Sequence, residues 1–192
     1  MQIDRILYPV QSLGPGKRIV IWTIGCYKRC PNCASPELWK FDKKKDISVK
    51  QILKLVASID EQVDGITITG GEPFCQIEEL SILLDEIRKK TKDILIFTGY
   101  TLEEIDNNDS IKNCIKKAAL VISGEYIDSL NDNQTALIAS GNQKIIWCNE
   151  KYKELYMDYM KNGRIIENFY YENNLISVGI HNNDEVRKEN SL

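Results

Sequence analysis

Cys26, Cys30 and Cys33 stand in the run Ile24-Gly25-Cys26-Tyr27-Lys28-Arg29-Cys30-Pro31-Asn32-Cys33, with gaps of three and then two residues. Thiolates are soft ligands, and three this close can hold three corners of an iron–sulfur cube while one iron keeps no protein ligand. An iron in that state is a place where a small molecule can coordinate and react. A zinc site wants a fourth Cys or His near by, and the single histidine, His181, lies far along the chain. Three unrelated reduced cysteines are the plain alternative. The tight spacing directly after an apolar run weighs against it.

A second run, Thr69-Gly70-Gly71-Glu72-Pro73, also follows an apolar stretch. Paired glycines let a backbone come close to a ligand and offer it N–H and C=O groups. Glu72 adds an acceptor suited to an ammonium group, and Pro73 stiffens the exit. By itself such a run is a weak signal, because most Gly-Gly pairs are merely turns. Beside a cysteine triad in the same sheet it becomes specific.

These loops need elements to position them. Residues 3–10 read as a strand or extended arm, and 18–24, 65–69, 94–97, 119–122 and 144–147 as apolar, β-branched strands. Ser48-x-x-Gln51 and Thr101-x-x-Glu104 are capping boxes ahead of helices, and Ser110 is a further N-cap candidate. Residues 78–90 carry Leu80, Leu83, Leu84 and Ile87 at helical spacing, and 36–39 open a short helix at Pro36. Residues 152–160 place Tyr152, Leu155, Tyr156 and Tyr159 on one helical face, a stripe more often core than cofactor-binding. Two strands at 164–170 and 175–180 flank Glu172-Asn173-Asn174 as a hairpin, and the last ten residues read as a polar, frayed tail.

Strands alternating with helices imply βαβ units and a parallel sheet covered by helices. About five such strands are too few for a closed eight-stranded barrel. The fold class expected is α/β: an open, partial (β/α) barrel of mostly parallel strands, with a C-terminal hairpin extension. One domain spans 1–192, its core at roughly 10–148 and the extension at roughly 149–192. Ligands of such sheets sit at the C-terminal ends of the strands. The cysteine loop, Gly70 to Pro73, Thr98-Gly99-Tyr100 and Ser123-Gly124-Glu125 all fall there.

Composition removes several classes. Of 192 residues, 43% are hydrophobic and 28% charged, as in ordinary globular domains. The net charge of −3 argues against a broad nucleic-acid footprint. No apolar run approaches a bilayer crossing, and residues 1–5 lack the apolar core of an export signal. Six cysteines in this setting point to a reducing, anaerobic cytoplasm.

Cys-x3-Cys-x2-Cys followed by a strand-terminal Gly-Gly-Glu-Pro resembles the radical S-adenosylmethionine superfamily. The segments Gly14-Pro15-Gly16-x-Arg18, Pro36-Glu37-x-Trp39, Thr98 to Glu104 and Ser140 to Ile145 narrow it. Together they resemble the small glycyl-radical-enzyme activases that serve anaerobic ribonucleotide reductases, over residues 10–147. The resemblance implies a 4Fe–4S cluster on Cys26, Cys30 and Cys33, with S-adenosylmethionine chelating the fourth iron. It further implies that reductive cleavage of this cofactor yields a 5′-deoxyadenosyl radical that takes hydrogen from a glycine of a large partner. Backbone from Asn32 to Ala34 would lie along the adenosine. Gly70, Gly71 and Glu72, stiffened by Pro73, would meet the methionine amine, Thr98 the ribose, and Asn142 and Gln143 would border the pocket or merely cap their loop. The partners implied are a large glycyl radical enzyme and an electron donor such as flavodoxin or ferredoxin, with no membrane and no nucleic acid.

Two features depart from that pattern. Ala34-Ser35 stands where these activases usually carry His-Asn, on the substrate side, which leaves the substrate open. The chain also continues past Ile146, and its aromatic and β-branched content reads as packing at a sheet edge in preference to a lid. Cys75, Cys114 and Cys148 read as small buried residues, with Cys75 near enough to Glu72 to reach the pocket, and His181 as a surface histidine. The rival readings are a stand-alone radical S-adenosylmethionine enzyme acting on a peptide or small molecule, and a non-catalytic iron–sulfur or zinc module. The last has no need of a Gly-Gly-Glu-Pro pocket.

Overall fold

Side chains alternate across a strand, so a run that is apolar on both parities must be covered on both faces. That is how the central strands are used. The computed structural model describes residues 1–171 and 174–182. Strands β1 (Ile3–Val10), β2 (Arg18–Thr23), β3 (Gly65–Gly70), β4 (Ile94–Thr98), β5 (Leu120–Ser123) and β6 (Lys144–Trp147) form one six-stranded sheet in chain order. Strands β2 to β5 run parallel. β1 and β6 close the two edges antiparallel, a direction that hydropathy alone does not give. A separate antiparallel hairpin, β7 (Ile166–Tyr171) with β8 (Asn174–Gly179), lies where the sequence places one.

One face carries Ile19, Ile21, Ile66, Ile68, Ile94 and Ile96, all fully buried. They pack on Ile52 and Val56 of α1 (Val49–Ala57), Leu80, Leu83, Leu84 and Ile87 of α2 (Ile77–Ile87), and Ile111 and Ile115 of α4 (Asp109–Ile115). Across the sheet, Val20 and Trp22 pack with Val10, Leu13, Leu38 and the hairpin's Val178. Leu95, Leu120 and Ile122 meet Leu137 and Tyr156 of α5 (Lys153–Met160) on the same side.

Both capping boxes form, Ser48 with Gln51 at the start of α1 and Thr101 with Glu104 at the start of α3 (Leu102–Asp106). The cap of α4 is Asn108 instead of Ser110: its side-chain oxygen accepts from Ile111 N at 3.1 Å. Asn caps as well as Ser, and Ser110 falls inside the first turn. The stripe on α5 is also narrower than expected. Tyr156 is fully buried while Leu155 is 48% exposed, because the helix turns to bring the Tyr156 hydroxyl to the sheet.

That hydroxyl joins a buried polar knot at the N-terminal ends of the strands. Arg18 is fully buried and pairs with Asp93 at 2.9 Å. Its guanidinium also donates to Thr67 Oγ1 at 2.7 Å, Pro15 O at 3.1 Å and Ile66 O at 3.0 Å. Tyr156 donates to Asp93 Oδ1 at 2.6 Å. The Gly-Pro-Gly-x-Arg motif therefore stitches β2, β3, the start of β4 and α5. At Gly65 there is no room for a side chain, since a Cβ would run into the Arg18 guanidinium. The hairpin is anchored separately: Glu167 accepts from Gln11 N and Ser12 N, each at 2.7 Å. The predicted turn at Glu172-Asn173 and the tail at 183–192 lie outside the described residues.

Candidate functional site

A cavity of about 580 Å³ opens at the C-terminal ends of β2, β3, β4 and β5. Each of those strands ends in a loop that borders it: the cysteine loop after β2, Gly70 to Glu72 after β3, Thr98 and Gly99 after β4, Gly124 and Tyr126 after β5. The opposite wall comes from the hairpin.

The cysteine loop curls because three residues take positive φ, Gly25 at 92°, Arg29 at 49° and Asn32 at 57°. The two non-glycine residues sit in the left-handed region, which costs free energy and clusters at functional sites. Backbone bonds hold the curl shut: Gly25 N to Leu38 O at 2.8 Å, Cys26 N to Trp39 O at 3.0 Å, and Cys33 N to Cys30 O at 3.2 Å. All three sulfur-bearing residues line the cavity, and all are free thiols. Burial raises the pKa of Cys30 and of Cys33; Glu125, Cys33 and Cys26 raise Cys30 further, and Cys26 and Glu37 raise Cys33 further. Against this, Ser35 N donates to Cys33 Sγ at 3.4 Å, and the Trp39 indole on its side pulls the Cys33 thiol down. Trp39 Nε1 is buried and has no hydrogen-bond partner among the described residues.

The glycine loop is tied to the same place. Gly71 N bonds Thr23 O and Glu72 N bonds Gly25 O, each at 2.8 Å. Gly70 has φ 110°, and a Cβ there would meet the Thr23 backbone. A Cβ on Gly71 would come within 2.6 Å of Gly25 O. Neither position admits a side chain. Glu72 is 1% exposed, and three donors hold its carboxyl: Phe74 N at 2.9 Å, Thr98 Oγ1 at 2.9 Å and Gly99 N at 2.7 Å.

Desolvation still dominates at Glu72 and pushes its pKa from 4.5 to about 7, against the three donors and the Lys28 charge. The sign follows from proton linkage. The folded protein keeps this proton until about pH 7, whereas the unfolded chain loses it near 4.5. Stability of the metal-free protein falls as pH rises through that window, by roughly 3 kcal/mol from this group, and levels off above it. Denaturant unfolding at pH 5 and pH 8 is the measurement. Glu72→Gln has no proton to lose and is expected to lack that part of the fall; a parallel pH profile in wild type and variant contradicts it.

Of the residues that the sequence singled out, Cys26, Cys30, Asn32, Cys33, Ala34, Gly70, Gly71, Glu72, Thr98 and Gln143 border the cavity. Pro73 is buried behind it, opening the 3-10 turn Pro73–Gln76. Asn142 does not reach it: its Nδ2 donates to Glu125 O at 2.8 Å, and its Oδ1 is buried without a partner among the described residues. Gln143 both borders the cavity and closes its loop, donating to Gly124 O at 3.0 Å and accepting from Ala139 N at 2.8 Å. Cys75 is not among the lining residues.

Sequence reasoning assigns no site role to Lys28, Trp39 or Tyr126, and reads the extension as packing in preference to a lid; all three residues and the hairpin border the cavity. Lys28 Nζ bonds Glu104 at 2.6 Å and Glu125 at 3.1 Å and stands 4.7 Å from the Tyr100 ring centroid. It clamps the cysteine loop to α3 and to the loop after β5. Only its place inside the cysteine motif marked it. His181 belongs to the cavity wall and is partly buried, in place of the surface position expected.

A 4Fe–4S cluster fits this donor set. Three thiols border one cavity, in surroundings that penalise free thiolates and that a cationic centre would offset. Among the described residues no three Cys, His, Asp or Glu side chains stand as ligands of a single metal ion. A cube binds each thiolate to a different iron and so accepts a wider spread than one zinc ion does. No helix among the described residues is long and apolar enough to cross a membrane.

Comparison with known proteins agrees with the donor set. Residues 12–146 match the family described as a 4Fe-4S single cluster domain. The chain is 29% identical over 155 residues to the anaerobic ribonucleoside-triphosphate reductase-activating protein of Enterobacteria phage T4, covering 78% of this chain and 95% of that protein. The protein of the same name from Salmonella typhi is 25% identical over 146 residues, 72% of this chain and 94% of its own. A pyruvate formate-lyase-activating enzyme from Staphylococcus aureus is 35% identical over 92 residues, 43% of this chain and 37% of that enzyme.

Proposed function

We propose that this chain, which belongs to the 4Fe-4S single cluster domain family, is a radical S-adenosylmethionine activase. It acts on a large anaerobic ribonucleotide reductase-like partner and places a radical on one of that partner's glycines. One observation carries the reading: three thiols and the Gly70 to Glu72 backbone meet in a single cavity at the strand ends. The names of the relatives supply the partner class. A bound cluster and S-adenosylmethionine would together supply a 5′-deoxyadenosyl radical, and the protein's work is to bind, orient and shield.

Cys26, Cys30 and Cys33 hold the cluster. The backbone from Asn32 to Ala34 flanks the adenosine, and Gly70, Gly71 and Glu72 receive the methionine amine, with Pro73 fixing the exit. A cationic amine beside Glu72 favours the carboxylate that burial alone disfavours. Thr98 holds that carboxyl in place; its hydroxyl also accepts from Tyr100 N at 3.1 Å. One lone pair is then left to face the ribose. Gln143 forms wall, and Asn142 supports the loop behind it. The sheet curls as an open, partial barrel around this space, and the setting is an anaerobic cytoplasm with a small flavodoxin or ferredoxin as electron donor.

A stand-alone enzyme acting on a small molecule is the second reading, favoured only by the hairpin wall, which narrows the cavity. Anaerobic reconstitution followed by dithionite and S-adenosylmethionine tests what the two readings share. Both expect 5′-deoxyadenosine above a Cys30→Ala control, and its absence removes both. A finer prediction concerns Trp39, whose indole pulls the Cys33 thiol down. Its buried N–H has no hydrogen-bond partner among the described residues, so that it would be available to a sulfur of a bound cluster. Hydrogen bonds to cluster sulfurs raise the reduction potential. Trp39→Phe is therefore expected to lower the midpoint potential of the reconstituted cluster at unchanged iron content, read by spectroscopic redox titration; an unchanged potential contradicts it.

A further inference from the structure

The hairpin lies beyond the family match, which ends at residue 146. The Salmonella typhi and phage T4 relatives are 94% and 95% covered by their own matches, so they hold little beyond what they share with this chain. Yet every residue from Leu175 to His181 borders the cavity that the three cysteines line. Successive residues of a strand point to opposite faces. Ile176, Val178 and Ile180 do pack against the cluster that holds Trp22 and Val10, while Leu175 is 56% exposed. An unbroken run brings the strand's backbone to the cavity, and not one alternate set of side chains alone. Among the described residues the outer edge of β8 is open, since the strand pairs with β7 alone. Among the described residues the backbone of 175–180 makes no hydrogen bond other than those to β7.

We propose that the open edge of β8 is the docking strand for the partner, taking an extended glycine-bearing peptide segment of the reductase as an added strand between the hairpin and the thiol-lined loop. This rests on the activase reading above. A strand edge recognises backbone, since its alternate N–H and C=O groups pair with any extended chain. It therefore suits a substrate whose reacting residue has no side chain to grip. An added strand lies about 4.8 Å from its neighbour, and glycine, without Cβ, lets the backbone close further on the opposite wall. The Glu167 anchor on Gln11 and Ser12 fixes the hairpin while its other edge stays free.

The test uses the reconstituted holoprotein with its reductase partner, and with a synthetic peptide spanning the partner's reactive glycine. Amide hydrogen exchange is followed across residues 175–181. Alternate amides there are expected to slow by about ten-fold or more on complex formation. N-methylation of one alternate set of peptide amides should abolish binding, and of the other set should spare it. A complex that forms with exchange at 175–181 unchanged overturns the proposal, as do two N-methylated sets that bind alike. Formation of 5′-deoxyadenosine by the holoprotein alone keeps the failures apart. A holoprotein that cleaves the cofactor yet binds neither partner nor peptide ends the docking proposal and leaves the cofactor chemistry standing; one that cleaves nothing ends the activase reading itself.

Discussion

Cys30→Ala is expected to abolish 5′-deoxyadenosine formation and to leave the reconstituted protein with little iron. The effect is all or none because the residue sits at the middle of the triad, between Cys26 and Cys33, in a loop closed by the Cys33 N to Cys30 O bond. Two thiolates cannot hold a cube whose fourth iron must stay free for the cofactor. The backbone curl does not depend on the thiol, so the variant should fold. The matched control is Cys75→Ala. Cys75 is not among the residues that line the cavity, so its thiol stands apart from the three that would hold the cluster. It should keep iron and activity, and iron content with product assay on the pair decides the matter. Loss of activity in both, or in neither, contradicts the assignment of the triad.

The second large effect is on stability and lies at the other end of the sheet. Arg18→Ala leaves Asp93, whose side chain is 4% exposed, as a buried carboxylate that has lost its cation. Breaking a buried pair from one side costs about 3–5 kcal/mol, a large part of the ~5–15 kcal/mol that holds a domain together. Tyr156→Phe removes one hydrogen bond to the same carboxylate and should cost less, about 1.5–3 kcal/mol. Replacing Arg18 and Asp93 together by Met and Leu should recover much of the loss, because no unpaired charge remains. Urea unfolding of the three variants ranks them. Equal midpoints for Arg18→Ala and the double variant would show that the knot does not act as a pair.

Much of this was legible in residue order because the physics behind it is local. The capping boxes at Ser48 and Thr101 need only four consecutive residues. The isoleucines of β2 to β4 announce a sheet buried on both faces. The cysteine loop and Gly70 to Glu72 converge because parallel strands deliver their C-terminal ends to one side. What was not legible depends on partners far along the chain. Leu155 is left at the surface because Tyr156 finds Asp93, 63 residues away. Thr98 carries the Glu72 carboxyl, and Asn142 is taken up by the Glu125 backbone. The role of Lys28 rests on Glu104 and Glu125, which no spacing rule connects to it. The extension divides in function: α5 packs, as its composition suggested, while the hairpin walls the cavity.

These parts meet in one claim, that the cavity serves to deliver a radical to another protein's backbone. The most direct measurement is electron paramagnetic resonance of the partner after anaerobic incubation with reconstituted protein, reductant and S-adenosylmethionine. An organic radical signal is expected on the partner, its doublet collapsing when the reactive glycine carries deuterium, and none with Cys30→Ala. Cofactor cleavage at full rate with no radical on the partner would contradict it.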